Sequence, residues 1–270
     1  MTSRLVRLRV FLALVIGCGL VNVTQAGNLV QNGDFSNNQF NNASHELASG
    51  TYQPNGITGS GVAYWTNSTN HAFNIWFNKD NASTTPAVSE YSEVQQLSAS
   101  YNSTNLPTSV NGFLALDGDP SVHGAITQSI GNATTGFLTV GQQYEVSFWW
   151  AATELSNRTG YTTESIDVSL GSSPVQTVSY GNPNGTNAEK LAPNAFTGWM
   201  YETMVFTATS ATETLSFLSN GTPSGEPPIS LLADVSLQAV PEPSSLALTG
   251  LGIVGLFVVR SRRRAKSNIK

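Results

Sequence analysis

Gln143-Tyr144-Glu145-Val146-Ser147-Phe148-Trp149-Trp150 is the stretch on which the fold turns. In an extended chain, successive side chains point to opposite faces. Tyr144, Val146, Phe148 and Trp150 therefore share one face, and Glu145, Ser147 and Trp149 share the other. Working outward, the same period recurs at residues 165–170, with Ile166, Val168 and Leu170 inward, and at 214–218, with Leu215 and Phe217 inward. Residues 203–208 and 231–237 repeat it, and 113–116 and 125–130 also read as strands. The runs are separated by turn formers: Asn111-Gly112, Asp117-Gly118-Asp119-Pro120 and Gly181-Asn182-Pro183-Asn184-Gly185. Residues 28–237 contain no long helical periodicity and no internal repeat. The expectation is an all-β antiparallel sandwich over residues 27–238.

Charge is segregated along the chain. Of its 12 Lys and Arg, only Lys79, Arg158 and Lys190 lie between residues 27 and 240, against 16 of the 17 acids, a formal −13 for that segment. Such a field repels phosphate backbones and argues against nucleic acid as a partner. Cys18 is the only cysteine and lies in the N-terminal apolar run, which excludes a disulfide framework or a cysteine metal site from the central segment.

The two ends address the protein. Residues 1–26 read as a signal peptide: Arg4, Arg7 and Arg9, an apolar stretch at 10–23, then Thr24-Gln25-Ala26. A competing reading is a lipoprotein signal, because Val15-Ile16-Gly17-Cys18 resembles a lipobox. At the other end, Pro241-Glu242-Pro243 precedes a short transmembrane helix expected at 246–259 and a basic tail at 260–270 that includes Arg262, Arg263 and Arg264. Fourteen residues span only about 21 Å of helix, a marginal anchor, and the basic cluster would stay cytoplasmic.

This tail, residues 239–264, resembles the PEP-CTERM sorting signal of Gram-negative bacteria, also called the ice-binding protein C-terminal domain. The resemblance implies an exosortase-type processing enzyme as partner, a membrane stage before cleavage, and a place at the cell envelope, cell surface or outside, alongside exopolysaccharide. The segment before it is similar to galactose-binding-like jelly rolls and carbohydrate-binding modules. The similarity rests on Asn28-Leu29-Val30-Gln31-Asn32-Gly33-Asp34-Phe35, residues 138–152, residues 199–217 and Ala233-Asp234-Val235-Ser236-Leu237. It implies a single jelly-roll sandwich and non-catalytic carbohydrate binding. The alternatives are a structural matrix or adhesion protein, and a polysaccharide-acting enzyme.

Catalytic signatures are missing: there is no Gly-x-Ser-x-Gly elbow, His-Glu-x-x-His or Gly-Lys-Ser/Thr. Metal binding is better motivated, since calcium takes clustered oxygen ligands. The family resemblance implies a structural calcium where the first and last strands meet, at Asp34 and Asp234; the Asp117-Gly118-Asp119 loop is an independent candidate for metal at Asp117 and Asp119. Solvated turn acids are the competing reading for both. For ligand binding, exposed aromatics would serve. Trp149 is the sharpest candidate because alternation sends it away from Phe148 and Trp150. Trp65, with Tyr64 beside it, and Trp76 lie in the loop-rich first third, where a binding rim could form. Core packing competes for all three indoles.

Overall fold

The computed structural model describes residues 27–41, 43–48, 50–51, 60–67, 73–88 and 95–241. The signal reading of 1–26, and Glu242, Pro243, the apolar stretch at 246–259 and Arg262, Arg263 and Arg264, lie outside the described residues. Twelve strands follow in order: β1 (His45–Glu46), β2 (Gly50–Thr51), β3 (Thr66–Asn67), β4 (Ile75–Asn78), β5 (Gly112–Asp117), β6 (Ile126–Ile130), β7 (Gln143–Glu154), β8 (Thr163–Leu170), β9 (Gln176–Tyr180), β10 (Met200–Thr207), β11 (Glu213–Thr222) and β12 (Pro228–Ala239). They form two antiparallel sheets, ordered β1-β4-β5-β12-β7-β10 and β2-β3-β6-β11-β8-β9. From β5 onward every connection crosses from one sheet to the other except β8 to β9, the interleaving of an eight-stranded jelly roll.

The alternation in β7 does what its period requires. Tyr144, Val146, Phe148 and Trp150 point between the sheets, where they meet Ile166, Val168 and Leu170 of β8 and Leu215 and Phe217 of β11. Seven strands are where the alternating runs place them; β9 escapes the pattern because only Val178 of its five residues is buried. The first third corrects the expectation of a loop-rich rim. Its strands β1–β4 extend both sheets, and Ala82, Ala87, Leu97, Tyr101 and Val110 build a second apolar cluster on the outer face of the first sheet. That cover buries β5 on both faces, which explains the unbroken apolar run Phe113-Leu114-Ala115-Leu116.

The N-terminal segment closes the edge of β12. Leu29 donates its N–H to Leu237 O and Val235 donates to Gly33 O, both at 2.9 Å. A Cβ at Gly33 would lie 1.9 Å from Val235 O, so only glycine permits this approach.

Candidate functional site

A concavity with the chemistry of a ligand site lies on the outer face of the second sheet. Residues of β8, β9 and β11 that point away from the core line up across the strands: Ser165 stands opposite Ser179 and Asn220, and Thr163 opposite Thr222. With Thr177 and Tyr180 they line a cleft of about 340 Å³. Asp167 orders its floor, accepting hydrogen bonds from Thr177 Oγ1 at 2.6 Å and Asn220 Nδ2 at 2.9 Å. Ser165 Oγ donates to Asn220 O at 3.0 Å, and the Thr163 and Thr222 hydroxyls lie 2.9 Å apart. Tyr180 leaves 39% of its surface in solvent at the rim. Hydroxyls and an amide near an exposed aromatic can hydrogen-bond a polyol and pack its C–H surface. None of these residues was marked in the sequence. The available signal was the polar half of the 165–170 alternation, Ser165 and Asp167, which reads as ordinary solvated surface.

The four aromatics expected to bind ligand do not share a surface. Trp65 and Trp76 are fully buried between the sheets, a correction to the binding-rim reading. Their indole N–H groups donate at 3.0 Å to Asn32 O and Phe35 O, fastening the N-terminal segment to the core. Tyr64 is exposed at a turn with φ of 69°. Trp149 points to the outer face of the first sheet as alternation requires, yet is half-buried against the second cluster. Its cross-strand neighbour Tyr201, missed in the sequence, is 55% exposed and holds its ring centroid 5.4 Å from that of Trp149.

Asp34 and Asp234 do come together. Asp234 sits in the β12 bulge with φ of 51°, and burial, then the negative charge of Asp34, raises its carboxyl above the ordinary range. Two hard oxygen ligands whose repulsion a cation would relieve fit calcium chemistry. The nearby carbonyls of Asn32, Gly33 and Phe35 already accept hydrogen bonds, so water would complete such a site.

Asp117 and Asp119 hold their loop by hydrogen bonds. Asp119 Oδ1 accepts from Ser121 N at 2.9 Å, Ser121 Oγ at 2.8 Å and Ser224 Oγ at 2.8 Å, and Oδ2 accepts from Gly225 N at 2.6 Å. Burial alone would raise its carboxyl, but these four donors bring it down to about 2. Asp117 accepts from Asp119 N at 2.7 Å and is raised to about 6, chiefly by burial. The loop is a clasp between the β5–β6 and β11–β12 connections, built on the four donors to Asp119. Among the described residues, no group of three or more His, Cys, Asp or Glu side chains is arranged to hold a metal, and no helix is long and apolar enough to cross a membrane.

Residues 239–264 match the PEP-CTERM protein-sorting motif, the mark of an exported protein sorted to the cell envelope or surface. No curated protein matches the chain in sequence. Among solved structures, the chain is similar to the module TmCBM61 in complex with β-1,4-galactotriose, at 8% identity over 79% of this chain and 99% of that one, with a TM-score of 0.36. It is also similar to the CBM22-1 xylan-binding domain of Paenibacillus barcinonensis Xyn10C, at 12% identity, 74% and 94% coverage and a TM-score of 0.30. An arabinose-bound MgGH51 α-L-arabinofuranosidase matches at 11% identity over 80% of this chain but only 27% of that one, with a TM-score of 0.40. These scores are too low to transfer a ligand or an activity.

Proposed function

We propose that this is a non-catalytic carbohydrate-binding protein of the Gram-negative cell surface, exported, cut by an exosortase-type enzyme near Pro241-Glu242-Pro243, and held in or near an exopolysaccharide matrix. The observation that carries the reading is the ordered Asp167-Thr177-Asn220 network beside the exposed ring of Tyr180. A structural calcium at Asp34 and Asp234 belongs to the same proposal, as a tie between the N-terminal segment and β12. Glu154 and Glu164, the carboxylates that converge between the sheets, are 0% and 1% exposed, and Glu164 also borders the cleft; this burial supports a non-catalytic role. A second reading, a matrix or adhesion protein without a small-ligand site, draws on the fact that Asp167 already has partners on both oxygens.

A glycan array followed by titration calorimetry separates the two. The expected result is binding that Tyr180→Ala weakens about tenfold, roughly 1.4 kcal/mol, at unchanged melting temperature. Absence of binding to any glycan, or full affinity in Tyr180→Ala, sinks the cleft reading.

A further inference from the structure

The last inward positions of β7 and β8 are acids. Beyond Trp150 and Ala152 on β7 comes Glu154, and before Ile166 on β8 comes Glu164, so the two carboxylates face the sheet-to-sheet interior at one end of the sandwich. Both are sealed from solvent, at 0% and 1% exposure. Each has one oxygen satisfied: Asn194 N donates to Glu154 Oε2 at 2.9 Å, and Thr162 Oγ1 donates to Glu164 Oε1 at 2.5 Å. Glu154 Oε1 and Glu164 Oε2 are buried with no hydrogen-bond partner. One layer deeper, the buried hydroxyls of Ser219 and Ser230 lie 2.9 Å apart, so oxygen atoms also line the interior next to this pair.

Two buried carboxylate oxygens without a donor are costly, because burial removes their water and nothing replaces it. Burial raises both carboxyls; the charge of Glu154 adds to the rise at Glu164, and the charge of Glu226 adds to the rise at Glu154. The Thr162 hydroxyl touches both carboxyls, but its single proton can serve only one. A divalent cation would satisfy both orphan oxygens at once and neutralise both charges. All the available donors are oxygens and the site is dry, which favours calcium over magnesium, since magnesium gives up its own water reluctantly.

We propose that a calcium ion bridges Glu154 Oε1 and Glu164 Oε2 between the two sheets, a structural site separate from the Asp34–Asp234 pair and independent of sugar binding.

The test measures bound metal per chain and melting temperature for the exported protein in chelator and in millimolar calcium or magnesium. Asp34→Asn/Asp234→Asn serves as the background, so the other carboxylate pair cannot contribute. In that background, calcium held at about a hundred times its dissociation constant should raise the melting temperature by about 5–10 °C, magnesium should do less, and one calcium should stay bound. Adding Glu154→Gln or Glu164→Gln should abolish binding and shift together. These amides remove a buried repulsion, so the variants should fold and melt above the chelated background protein. Absence of bound calcium, or a shift that persists in both glutamine variants, overturns the proposal. So does a stability that ignores calcium and merely falls as pH rises to about 8, because the pair then shares a proton.

Discussion

Replacing Asp119 by Asn tests whether the Asp117-Gly118-Asp119 loop is a clasp or a metal site. The carboxylate accepts four donors, two of them from Ser224 and Gly225, more than a hundred residues away, and is brought from its ordinary 3.8 to about 2. A carboxyl depressed by about two units contributes roughly 2–3 kcal/mol of stability at neutral pH, at about 1.4 kcal/mol per unit. Because the folded value lies below the unfolded one, that contribution is fully present above about pH 4 and is lost as pH falls through about 2. Asp119→Asn should therefore unfold at lower urea than the parent at pH 7, by roughly 1 M if the slope is near 2–3 kcal/mol per molar. The two midpoints should converge as pH approaches 2. Chelator should leave the difference untouched. A loss under about 0.5 kcal/mol, or one that is constant across this pH range, would show that the four contacts are not what stabilises the loop. A difference that vanishes in chelator would favour the metal reading. Thr222, which lines the cleft, lies between Ser219 and Ser224 on the clasped connection, so the same variant should also weaken glycan binding.

Trp150→Ala should destabilise the domain by roughly 3–5 kcal/mol, since Trp150 is buried in the inter-sheet core, whereas Trp149→Ala should cost markedly less; equal shifts in denaturant midpoint would refute this. Calcium should protect the C-terminal half of β12, where the N-terminal segment pairs with it, from amide exchange, and Asp34→Asn or Asp234→Asn should remove that local protection while leaving the Glu154–Glu164 end unchanged. Replacing Pro241, Glu242 and Pro243 by Ala should leave uncut precursor in the native host; intact-mass analysis showing normal processing would count against the sorting motif as the cleavage signal.

Strand identity was legible wherever one face is buried and the other wet, as in Tyr144 to Trp150, because two environments impose a period of two. It was legible in a different form at β5, where a cover on both faces turns alternation into the continuous Phe113-Leu114-Ala115-Leu116. What it could not show was the cover itself. Tyr101, Leu97 and Val110 are scattered through turns, and nothing local tells them to fold over the outer face of the first sheet. Trp65 and Trp76 looked like candidates for a rim because they stand among polar neighbours. Their burial comes from tertiary partners instead, since the carbonyls of Asn32 and Phe35 satisfy their indole N–H groups. The polar surface of the cleft was hidden for the opposite reason. Ser165, Asp167 and Asn220 are unremarkable surface residues until the cross-strand register of β8, β9 and β11 sets them side by side.

That register also places the cleft relative to the tail. Glu154 pairs with Pro228 at the start of β12, and Tyr144 pairs with Ala239 at its end. Cleft residues Thr163 and Thr222 belong to the Pro228 end, because Gly221 packs against both Thr163 and Pro228, while Pro241 follows the Ala239 end. Twelve residues of strand separate the two ends by about 36 Å at roughly 3.3 Å per residue. If the sorting motif holds the chain at the envelope, the Ala239 end of the sandwich faces the envelope and the Pro228 end faces outward. Here the outward end holds the cleft, the Asp119 clasp that braces its wall, and the Glu154–Glu164 pair beneath it. Calcium bound between that pair would stiffen the end of the sandwich on which the cleft is built.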